Sequence, residues 1–382
     1  MKEFDIKTKI YFGQDSLDRL KAMPYQRVMI IADPFVVSSG MVQHAVRRLQ
    51  AAGKTYSIYS DVVPDPPIEK VVAGIGAALQ FRPEVIVAIG GGSAIDLSKS
   101  VRKFARNVDP TFSARLIAVP TTSGTGSEVT CFAVITDPEK NVKYPLTSDD
   151  LVPDEAILDE VLVKSVPASV TADTGMDVMT HALEAYVSIQ NNEFSGAFAE
   201  KAVEICGQFL LRSQADNNDT HARRKMHVAS CLAGLAFNAS SLGLNHGMAH
   251  QLGAVFHIPH GRANSILLPH IIEYNSEINL YSRSKSSYAP CVQKYCNMAR
   301  ILGVNNLNEV VTVHALINQV RFMATEMHMP TCVSEALPKL TKEEYEAQIS
   351  LMAKNALQDG CTATNPRIPT EDDVIELYKK IW

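Results

Sequence analysis

Short apolar runs rich in β-branched residues alternate with helix-like stretches through the first part of the chain. Five runs predict strands, at residues 27–33, 54–60, 84–90, 115–120 and 155–159. Stretches such as 41–53 and 68–81 carry apolar residues three and four positions apart, the spacing of an amphipathic helix. The opening MKEFDIKTKI alternates charged and apolar residues and predicts one more strand. Strand and helix in repeated alternation are typical of a doubly wound, mainly parallel sheet.

The pattern changes near Pro167. Beyond it, segments such as TADTGMDVMTHALEAYVS keep the three- and four-residue spacing, and β-branched runs become rare. Proline at this point suits the first turn of a helix. We therefore predict two domains, an α/β domain over residues 1–166 and an all-helical domain over residues 167–382.

Composition narrows the class of protein. A length of 382 residues suits two domains, and a net charge of −5 gives no reason to expect nucleic acid or a membrane surface as partner. The N-terminus lacks the continuous apolar core of a signal peptide, and no apolar run is long enough to span a bilayer. Seven scattered cysteines without a C-x-x-C pair favour reduced thiols. We expect a cytoplasmic protein.

A run of three glycines follows the strand that ends at Ile89, in GGGSAIDLSKS over residues 90–100. Glycines leave room for a phosphate beside the backbone, and a helix beginning at Ser93 would present free N–H groups to it. The segment matches neither the G-x-G-x-x-G fingerprint nor a Walker motif. A tight turn with close packing is the alternative interpretation.

A second loop rich in glycine and hydroxyl groups, PTTSGTGSEVT, follows another predicted strand at residues 120–130. Parallel strands place both loops at the carboxyl edge of the sheet, where α/β proteins bind ligands. The hydroxyl groups of this loop could donate hydrogen bonds to phosphate, ribose or carboxamide groups, or they could satisfy the backbone of the turn itself. They belong to Thr121, Thr122, Thr125 and Ser127.

Asp33 lies at the end of another predicted strand. Its carboxylate could accept hydrogen bonds from an adenosine ribose and would repel a 2′-phosphate, which favours NAD over NADP. A helix cap is the alternative interpretation.

Histidines are concentrated in LGLNHGMAHQLGAVFHIPHG, residues 242–261. His246 and His250 are four positions apart and share a face if the segment is helical, and Asp177 and His181 repeat this spacing upstream. With His260, these segments offer one carboxylate and several imidazoles for a first-row metal. Iron, zinc, cobalt and nickel all suit such ligands. HGMAH lacks the glutamate of H-E-x-x-H, which disfavours a zinc peptidase.

Not every histidine can be a ligand. A site with an open position needs three or four protein ligands, and residues 246–270 contain five histidines. At least one must serve elsewhere, and spacing does not say which. For the remaining histidines we predict hydrogen-bonded interior positions: His44, His221, His227, His314 and His328.

Together, GMDVMTHALEAY, GLNHGMAHQLGAVFHIPHG, GGGSAIDLSKS, PTTSGTGSEVT and the late CTATNPR resemble the iron-containing, or group III, alcohol dehydrogenases over the whole chain. The likeness is greatest to the members that act on short-chain primary alcohols such as 1-propanol and butanol. The resemblance implies a dehydroquinate synthase-like architecture, in which an α/β domain binds the dinucleotide and a helical domain binds metal and substrate.

The resemblance also assigns residues. It implies four metal ligands, Asp177, His181, His246 and His260, with His250 as a proton relay beside the nicotinamide and with His257 and His270 left as structural residues. The implied cofactor contacts are Asp33, Pro66, Gly90, Gly91, Gly92, Ser93, Asp96, Thr121, Thr122, Thr125, Ser127 and Lys143. The implied substrate-facing residues are Phe132, Val134 and Phe237. In diol-reducing relatives the first of these is polar, so phenylalanine favours an unsubstituted aliphatic chain.

The implied activity is metal-dependent interconversion of short-chain primary alcohols and aldehydes by direct hydride transfer with NAD(H). Fe²⁺ is the expected metal, with Zn²⁺ or another divalent cation as alternatives. A glycerol or diol dehydrogenase is the alternative within the superfamily. A dehydroquinate synthase-like lyase would need several basic residues around the metal, and only Arg262 is close in sequence to the ligands. A third hypothesis is a metal- and nucleotide-binding component of an assembly, without enzymatic activity.

The resemblance further suggests a homodimer or higher oligomer and association with the shell of a bacterial microcompartment.

Overall fold

The computed structural model describes residues 4–137, 142–278 and 289–382, with backbone alone at positions 137, 142, 143 and 289. The chain divides into two compact units, Met1–Val166 and Pro167–Trp382. The first is an α/β unit and the second is helical. Both match the predicted fold class.

In the first unit, the strands are β1 Lys9–Phe12, β2 Arg27–Ala32, β3 Thr55–Tyr59, β4 Val85–Gly90, β5 Arg115–Pro120, β6 Phe132–Asp137, β7 Val142–Thr147 and β8 Glu155–Leu158. Its helices are α1 Arg19–Ala22, α2 Pro34–Ser38, α3 Gln43–Ala51, α4 Ile68–Phe81 and α5 Gly92–Val108.

Six of these strands form one parallel sheet in the order β1-β8-β5-β4-β2-β3. From β2 the chain passes to β3 on one side and then returns to β4 on the other. The carboxyl ends of β2 and β4 therefore flank the point where the winding reverses, which is where open α/β sheets bind ligands. The doubly wound, parallel prediction is confirmed.

Both faces of this sheet are buried. Val28 and Ile30 of β2 pack in the core that contains α3, whereas Met29 and Ile31 pack in the core that contains α4 and α5. Successive strand residues point to opposite faces, so a strand covered on both sides has to be apolar throughout. This is why the central strands β2, β4 and β5 appear as nearly continuous apolar runs.

A separate antiparallel hairpin, β6–β7, was not predicted. Its second strand contains Pro145, which argues against a strand in a sequence pattern. The proline is tolerated because β7 is an edge strand, which pairs with β6 alone in the two-stranded sheet. The N-terminal strand is also shorter than expected, since β1 begins only at Lys9.

In the second unit, the helices are α6 Ala168–Val187, α7 Glu193–Ala215, α8 Thr220–Ser240, α9 Leu244–Phe256, α10 His260–Ser276, α11 Ala289–Ile301, α12 Glu309–Glu326, α13 Val333–Ala336, α14 Lys342–Gln358 and α15 Glu371–Lys380. Within the described ranges, no single helix is long and apolar enough to cross a bilayer; the sharply bent pair α8–α9 passes that test only when taken together.

Helix α6 is the central element of this unit. It packs against α7, α8 and α10, and every residue from Gly175 to Val187 is buried. Pro167 precedes its first residue in an extended conformation, as a proline at a helix start permits. Any polar side chain on the second half of α6 is therefore held inside the unit.

Two glycines of α4 test how tightly the first unit is packed. A Cβ on Gly74 would lie 2.6 Å from Cγ2 of Val101, a stiff β-branched side chain, whereas a Cβ on Gly76 would meet nothing within 4 Å. Gly76→Ala should stabilise the protein by about 0.5–1 kcal/mol through helix propensity. Gly74→Ala should cost about 1–3 kcal/mol by overpacking. Thermal unfolding midpoints should rank Gly76→Ala above the wild type and Gly74→Ala below it; the reverse order would contradict this packing.

Candidate active site

Four side chains from three helices converge in the helical unit. Asp177 and His181 lie one turn apart on α6, His246 lies in the first turn of α9, and His260 is the first residue of α10. One ligand atom from each lies within 4.8 Å of the others. Asp177 Oδ1 is 3.4 Å from Nε2 of His260, 3.7 Å from Nε2 of His246 and 4.0 Å from Nε2 of His181.

These separations fit a metal ion. Ligand atoms bound tetrahedrally at about 2.1 Å lie about 3.4 Å apart, close to the distances from Asp177. The side chains of Asp177, His181 and His246 are at most 5% exposed, whereas that of His260 is 42% exposed. The cluster is therefore open to solvent on the His260 side, as a catalytic metal site with a free coordination position requires.

The charges in the cluster also suit a cation. Burial acts to raise the pKa of Asp177, but the surrounding imidazoles of His181 and His260 outweigh it and lower that pKa. Burial acts to lower the pKa of His246, yet the carboxylates of Glu184 and Asp177 raise it to about 9. An ionised carboxylate deep inside the unit thus depends on positive charge beside it.

Glu184 supports the cluster from α6, one turn after His181. Its Oε2 is hydrogen-bonded to Nδ1 of His246, and its Oε1 accepts from the backbone N–H of Asn245 at 2.7 Å. Such a carboxylate fixes the orientation of a ligating imidazole and directs its other nitrogen toward the metal. Sequence reasoning missed Glu184, although it lies seven residues after Asp177 in the quoted motif and so shares its helix face.

Asn264 was also missed, although it lies four residues after His260 on α10. Its Nδ2 donates to Oδ1 of Asp177 at 2.7 Å, and its Oδ1 accepts from Nδ2 of Asn245 at 2.8 Å. The second bond fixes which end of the amide faces the cluster. Asn264 therefore presents a donor to the ligand carboxylate and helps to hold it in place.

Close backbone contact brings α10 to α6. A Cβ on Gly261 would lie 2.0 Å from the backbone oxygen of Asp173, one turn before Asp177, so only glycine fits there. The neighbouring Arg262 forms two bonds to the carboxylate of Asp173, at 3.2 and 3.1 Å. Together these contacts place His260 within reach of Asp177.

His250 lies on α9 beside the cluster rather than in it. Its ring stacks on that of His260, with centroids 5.4 Å apart, and its Nδ1 is 2.8 Å from Oδ2 of Asp359. Phe237, predicted to face the substrate, is buried on α8 with its ring stacked 4.6 Å from that of His181.

The other histidines lie outside the four-residue cluster. His227 is buried, and burial lowers its pKa to about 4. His257 is exposed at the end of α9 with a φ of 56°, and His270 is half-buried on α10. The predicted interior position is wrong for His221 and His328, which are exposed, because one lies in the first turn of α8 and the other in the turn after α12.

In the α/β unit, the glycine run lies at the carboxyl end of β4. A Cβ on Gly90 would lie 2.6 Å from Cβ of Ala94, and one on Gly92 would lie 2.9 Å from Cγ2 of Thr125. Both glycines are therefore needed for close packing. At Gly91 the nearest atom, Oγ1 of Thr122, would be at an ordinary 3.4 Å. Helix α5 begins at Gly92, one residue earlier than predicted, which leaves Ser93 in its first turn.

Asp33 caps a helix, as the alternative interpretation held. Its Oδ1 accepts from the backbone N–H of Val36 at 2.9 Å, at the start of α2. Its Oδ2 lies 3.0 Å from the position of a Cβ on Gly90. The carboxylate thus lies at the carboxyl ends of β2 and β4, beside the glycine run.

Asp96 and Lys99, one turn apart on α5, fasten the hydroxyl-rich loop. Asp96 accepts from Oγ of Ser127 at 2.6 Å and from the backbone N–H of Val134 at 3.0 Å. Lys99 is fully buried, and its Nζ donates to the backbone oxygen of Phe132 at 2.6 Å. Burial lowers the pKa of Lys99 to about 8. These bonds favour a positioning role for Asp96 and Ser127, and they fix the start of β6.

The backbones of the remaining predicted cofactor residues pair with the glycine run or with β6. Thr121 donates its backbone N–H to the carbonyl of Gly90 at 3.0 Å. The carbonyl of Pro66 accepts from the N–H of Thr136 on β6 at 2.9 Å. Lys143 pairs with Thr136 across the hairpin, but its side chain lies outside the described residues.

Two curated relatives align over the entire chain. One, named 1-propanol dehydrogenase PduQ, from Citrobacter freundii, is 41% identical over 381 residues and is covered completely. Another, named NADPH-dependent butanol dehydrogenase, from Clostridium saccharobutylicum, is 35% identical over 398 residues, with 100% of this chain and 98% of the relative covered.

Solved structures have the same architecture. An iron-containing alcohol dehydrogenase from Thermococcus thioreducens matches with a TM-score of 0.89 and 30% identity over 99% of each chain. A sulfoacetaldehyde reductase from Bifidobacterium kashiwanohense, in complex with NAD+, matches with a TM-score of 0.85 and 28% identity over 100% of this chain and 98% of that one.

Family profiles match both units. Residues 7–160 match the family described as iron-containing alcohol dehydrogenase, and residues 171–382 match the C-terminal part of the Fe-containing alcohol dehydrogenase family. The two matches take in both the glycine run and the histidine cluster. The chain belongs to the iron-containing alcohol dehydrogenase family.

Proposed function

We propose that this enzyme interconverts short-chain primary alcohols and aldehydes with NAD(H), using a divalent metal held by Asp177, His181, His246 and His260. In balanced form, alcohol and NAD+ give aldehyde, NADH and a proton. The observation that carries the proposal is the convergence of one carboxylate and three imidazoles, with separations from Asp177 that match a single coordination sphere.

The four residues fit a first-row dication of the iron or zinc type by their donor set. Such an ion, when bound, polarises the substrate oxygen and stabilises negative charge on it. The chain supplies the rest: Glu184 orients His246, Asn264 holds Asp177, and the exposed side of His260 leaves room for a small substrate. Which cation is loaded stays a prediction, with Fe²⁺ expected from the family.

For the cofactor, the proposal rests on the carboxyl ends of β2 and β4. The unhindered Gly91 and the start of α5 offer backbone N–H groups to a pyrophosphate, and Asp33 offers a carboxylate to a ribose. A negative charge there would repel a 2′-phosphate, so NAD(H) is preferred over NADP(H). One relative is named as NADPH-dependent and one neighbour is a complex with NAD+, and kinetics with both cofactors test the preference.

For the substrate, Phe132, Val134 and Phe237 are proposed to line an apolar site. An apolar site gains about 0.8 kcal/mol per methylene group, so discrimination among C2 to C4 alcohols should be shallow. The relatives named for 1-propanol and butanol do not favour the polyol alternative. The lyase alternative is not favoured either, since Arg262 is bonded to Asp173. A homodimer and association with a microcompartment shell stay predictions from the resemblance.

Replacing a ligand tests the function directly. His246→Ala should remove bound metal and lower NADH-dependent propanal reduction by at least about a thousandfold, because the ion supplies the charge stabilisation. The exposed His221→Ala is the matched control and should keep both metal and activity. Metal content should be measured for each variant together with its kcat/KM. For the wild type, kcat/KM should be compared for ethanol, 1-propanol, 1-butanol and 1,2-propanediol, with NAD and with NADP. Full activity in metal-free His246→Ala would contradict the proposal.

Glu184→Gln tests the support of His246. Glutamine keeps the size of the side chain and an acceptor for the N–H of Asn245 but removes the charge that orients the imidazole. Metal affinity should fall by roughly 10- to 100-fold, as for other carboxylates behind a ligating histidine. Competition with a fluorescent chelator gives the affinity. Glu204→Gln is the control, because this half-exposed side chain on α7 pairs with Lys201 of the same helix and lies outside the cluster. Equal affinities in the two variants would remove Glu184 from the metal centre.

A further inference from the structure

Asp359 is placed beside His250 by the C-terminal part of the chain. Its Oδ2 lies 2.8 Å from Nδ1 of His250, and its Oδ1 accepts from the backbone N–H of Cys361 at 2.9 Å. The His250 side chain is 37% exposed, whereas that of Asp359 is 16% exposed. The pair therefore combines a shielded carboxylate with an imidazole that solvent can reach.

His250, Asp359 and Cys361 also group together as potential metal ligands. The distance between His250 and Asp359 argues for a hydrogen bond instead. Two ligand atoms on one tetrahedral ion would lie about 3.4 Å apart, whereas these lie at 2.8 Å, the normal length of a charge-assisted hydrogen bond. The geometry is that of a carboxylate–imidazole pair.

The turn that carries Asp359 is fastened to the histidine helix. A Cβ on Gly247 would lie 2.1 Å from Oγ1 of Thr362, so the turn rests directly on α9 one turn before His250. Thr364 donates to the carbonyl of Leu242 at 2.7 Å, and the side chain of Asn365 accepts from the N–H of Leu244 at 3.1 Å. The segment 359–365 is thereby tied to the start of α9 at several points, which fixes where Asp359 can lie.

The bond determines which nitrogen of His250 carries its proton. Burial acts to raise the pKa of Asp359, but the hydrogen bond with His250 outweighs it and lowers that pKa to about 2. An ionised carboxylate can only accept, so Nδ1 of His250 must be the donor. In the neutral ring, Nε2 then keeps its lone pair.

We propose that Asp359 is a positioning residue that holds His250 in the Nδ1–H tautomer, so that Nε2 exchanges the proton with the substrate oxygen. During alcohol oxidation Nε2 takes the hydroxyl proton and the ring becomes an imidazolium, which the carboxylate of Asp359 stabilises. During aldehyde reduction the imidazolium returns that proton to the substrate oxygen. This role rests on the proposed alcohol dehydrogenase activity, since without it His250 has no proton to transfer.

The tautomer can be measured without any variant and without activity. In metal-free or zinc-loaded protein labelled with ¹⁵N-histidine, the His250 signals are identified by their loss in His250→Gln. The expected pattern is a protonated Nδ1 and an unprotonated Nε2 for the neutral ring. A neutral His250 that carries its proton on Nε2 would overturn the proposal, whether or not the enzyme oxidises alcohols.

Kinetics test the role in proton transfer. Asp359→Asn keeps the size of the side chain but removes the charge and can donate to Nδ1, so kcat for propanal reduction should fall at least about tenfold. Metal content and the dissociation constant of NADH should stay within about twofold of the wild type. Asp359→Glu should restore part of kcat, and the exposed Asp372→Asn, on α15, is the matched control.

Two kinetic results would overturn the proposal. One is an unchanged kcat in Asp359→Asn; the other is loss of metal in proportion to activity, which would make Asp359 a support of the metal centre. If Asp359→Asn fails to fold, the measurement of the His250 tautomer in the wild-type protein tests the proposal by itself. A wild-type protein that is inactive with every alcohol would contradict the proposed function and leave the tautomer measurement valid.

Discussion

The carboxylate of Asp177, buried among three imidazoles, is the constraint on which the helical unit depends. An isolated charge at this depth would cost several kcal/mol, so it needs compensating positive charge and donors around it. Helices α6, α9 and α10 meet where their side chains provide both. A divalent cation would satisfy the carboxylate and bring the imidazoles together at once, which links metal binding to the packing of these helices.

Glycines near the histidines make this arrangement possible. The N-terminus of α9 has no capping side chain of its own, because Gly243 precedes it. A Cβ there would lie 2.7 Å from Oε1 of Glu184 and 2.8 Å from Oδ1 of Asn365, and these two side chains accept the first free N–H groups of α9 instead. Gly261 likewise lacks the Cβ that would prevent the close contact between α10 and α6. In the pairs His246–Gly247 and His260–Gly261, a potential ligand is followed directly by a glycine in close contact. A Cβ would lie 2.1 Å from Oγ1 of Thr362 at the first glycine and 2.0 Å from the backbone oxygen of Asp173 at the second.

The sequence predicts much of the fold because buried parallel strands must be apolar throughout, and β2, β4 and β5 are. The sequence does not predict the hairpin, because Pro145 argues against a strand at the position of β7. The spacing of Asp177 with His181 indicates one shared helix face. No local sequence pattern, however, indicates the distance between α6 and α9. The prediction of which histidines converge therefore rests on the family resemblance. The structure brings His181, His246 and His260 together with Asp177, and their binding of a metal stays a prediction. Glu184, Asn264 and Asp359 act through bonds to neighbours 62, 87 and 109 residues away, which no local pattern encodes.

The most direct measurement is anomalous diffraction from crystals of the metal-loaded protein, collected at the absorption edge of the cation that elemental analysis detects. The account predicts one strong peak per chain in the helical unit, at bonding distance from Asp177 Oδ1 and from a ring nitrogen of His181, His246 and His260. A peak bound elsewhere, or one that leaves Asp177 outside the coordination sphere, would contradict it.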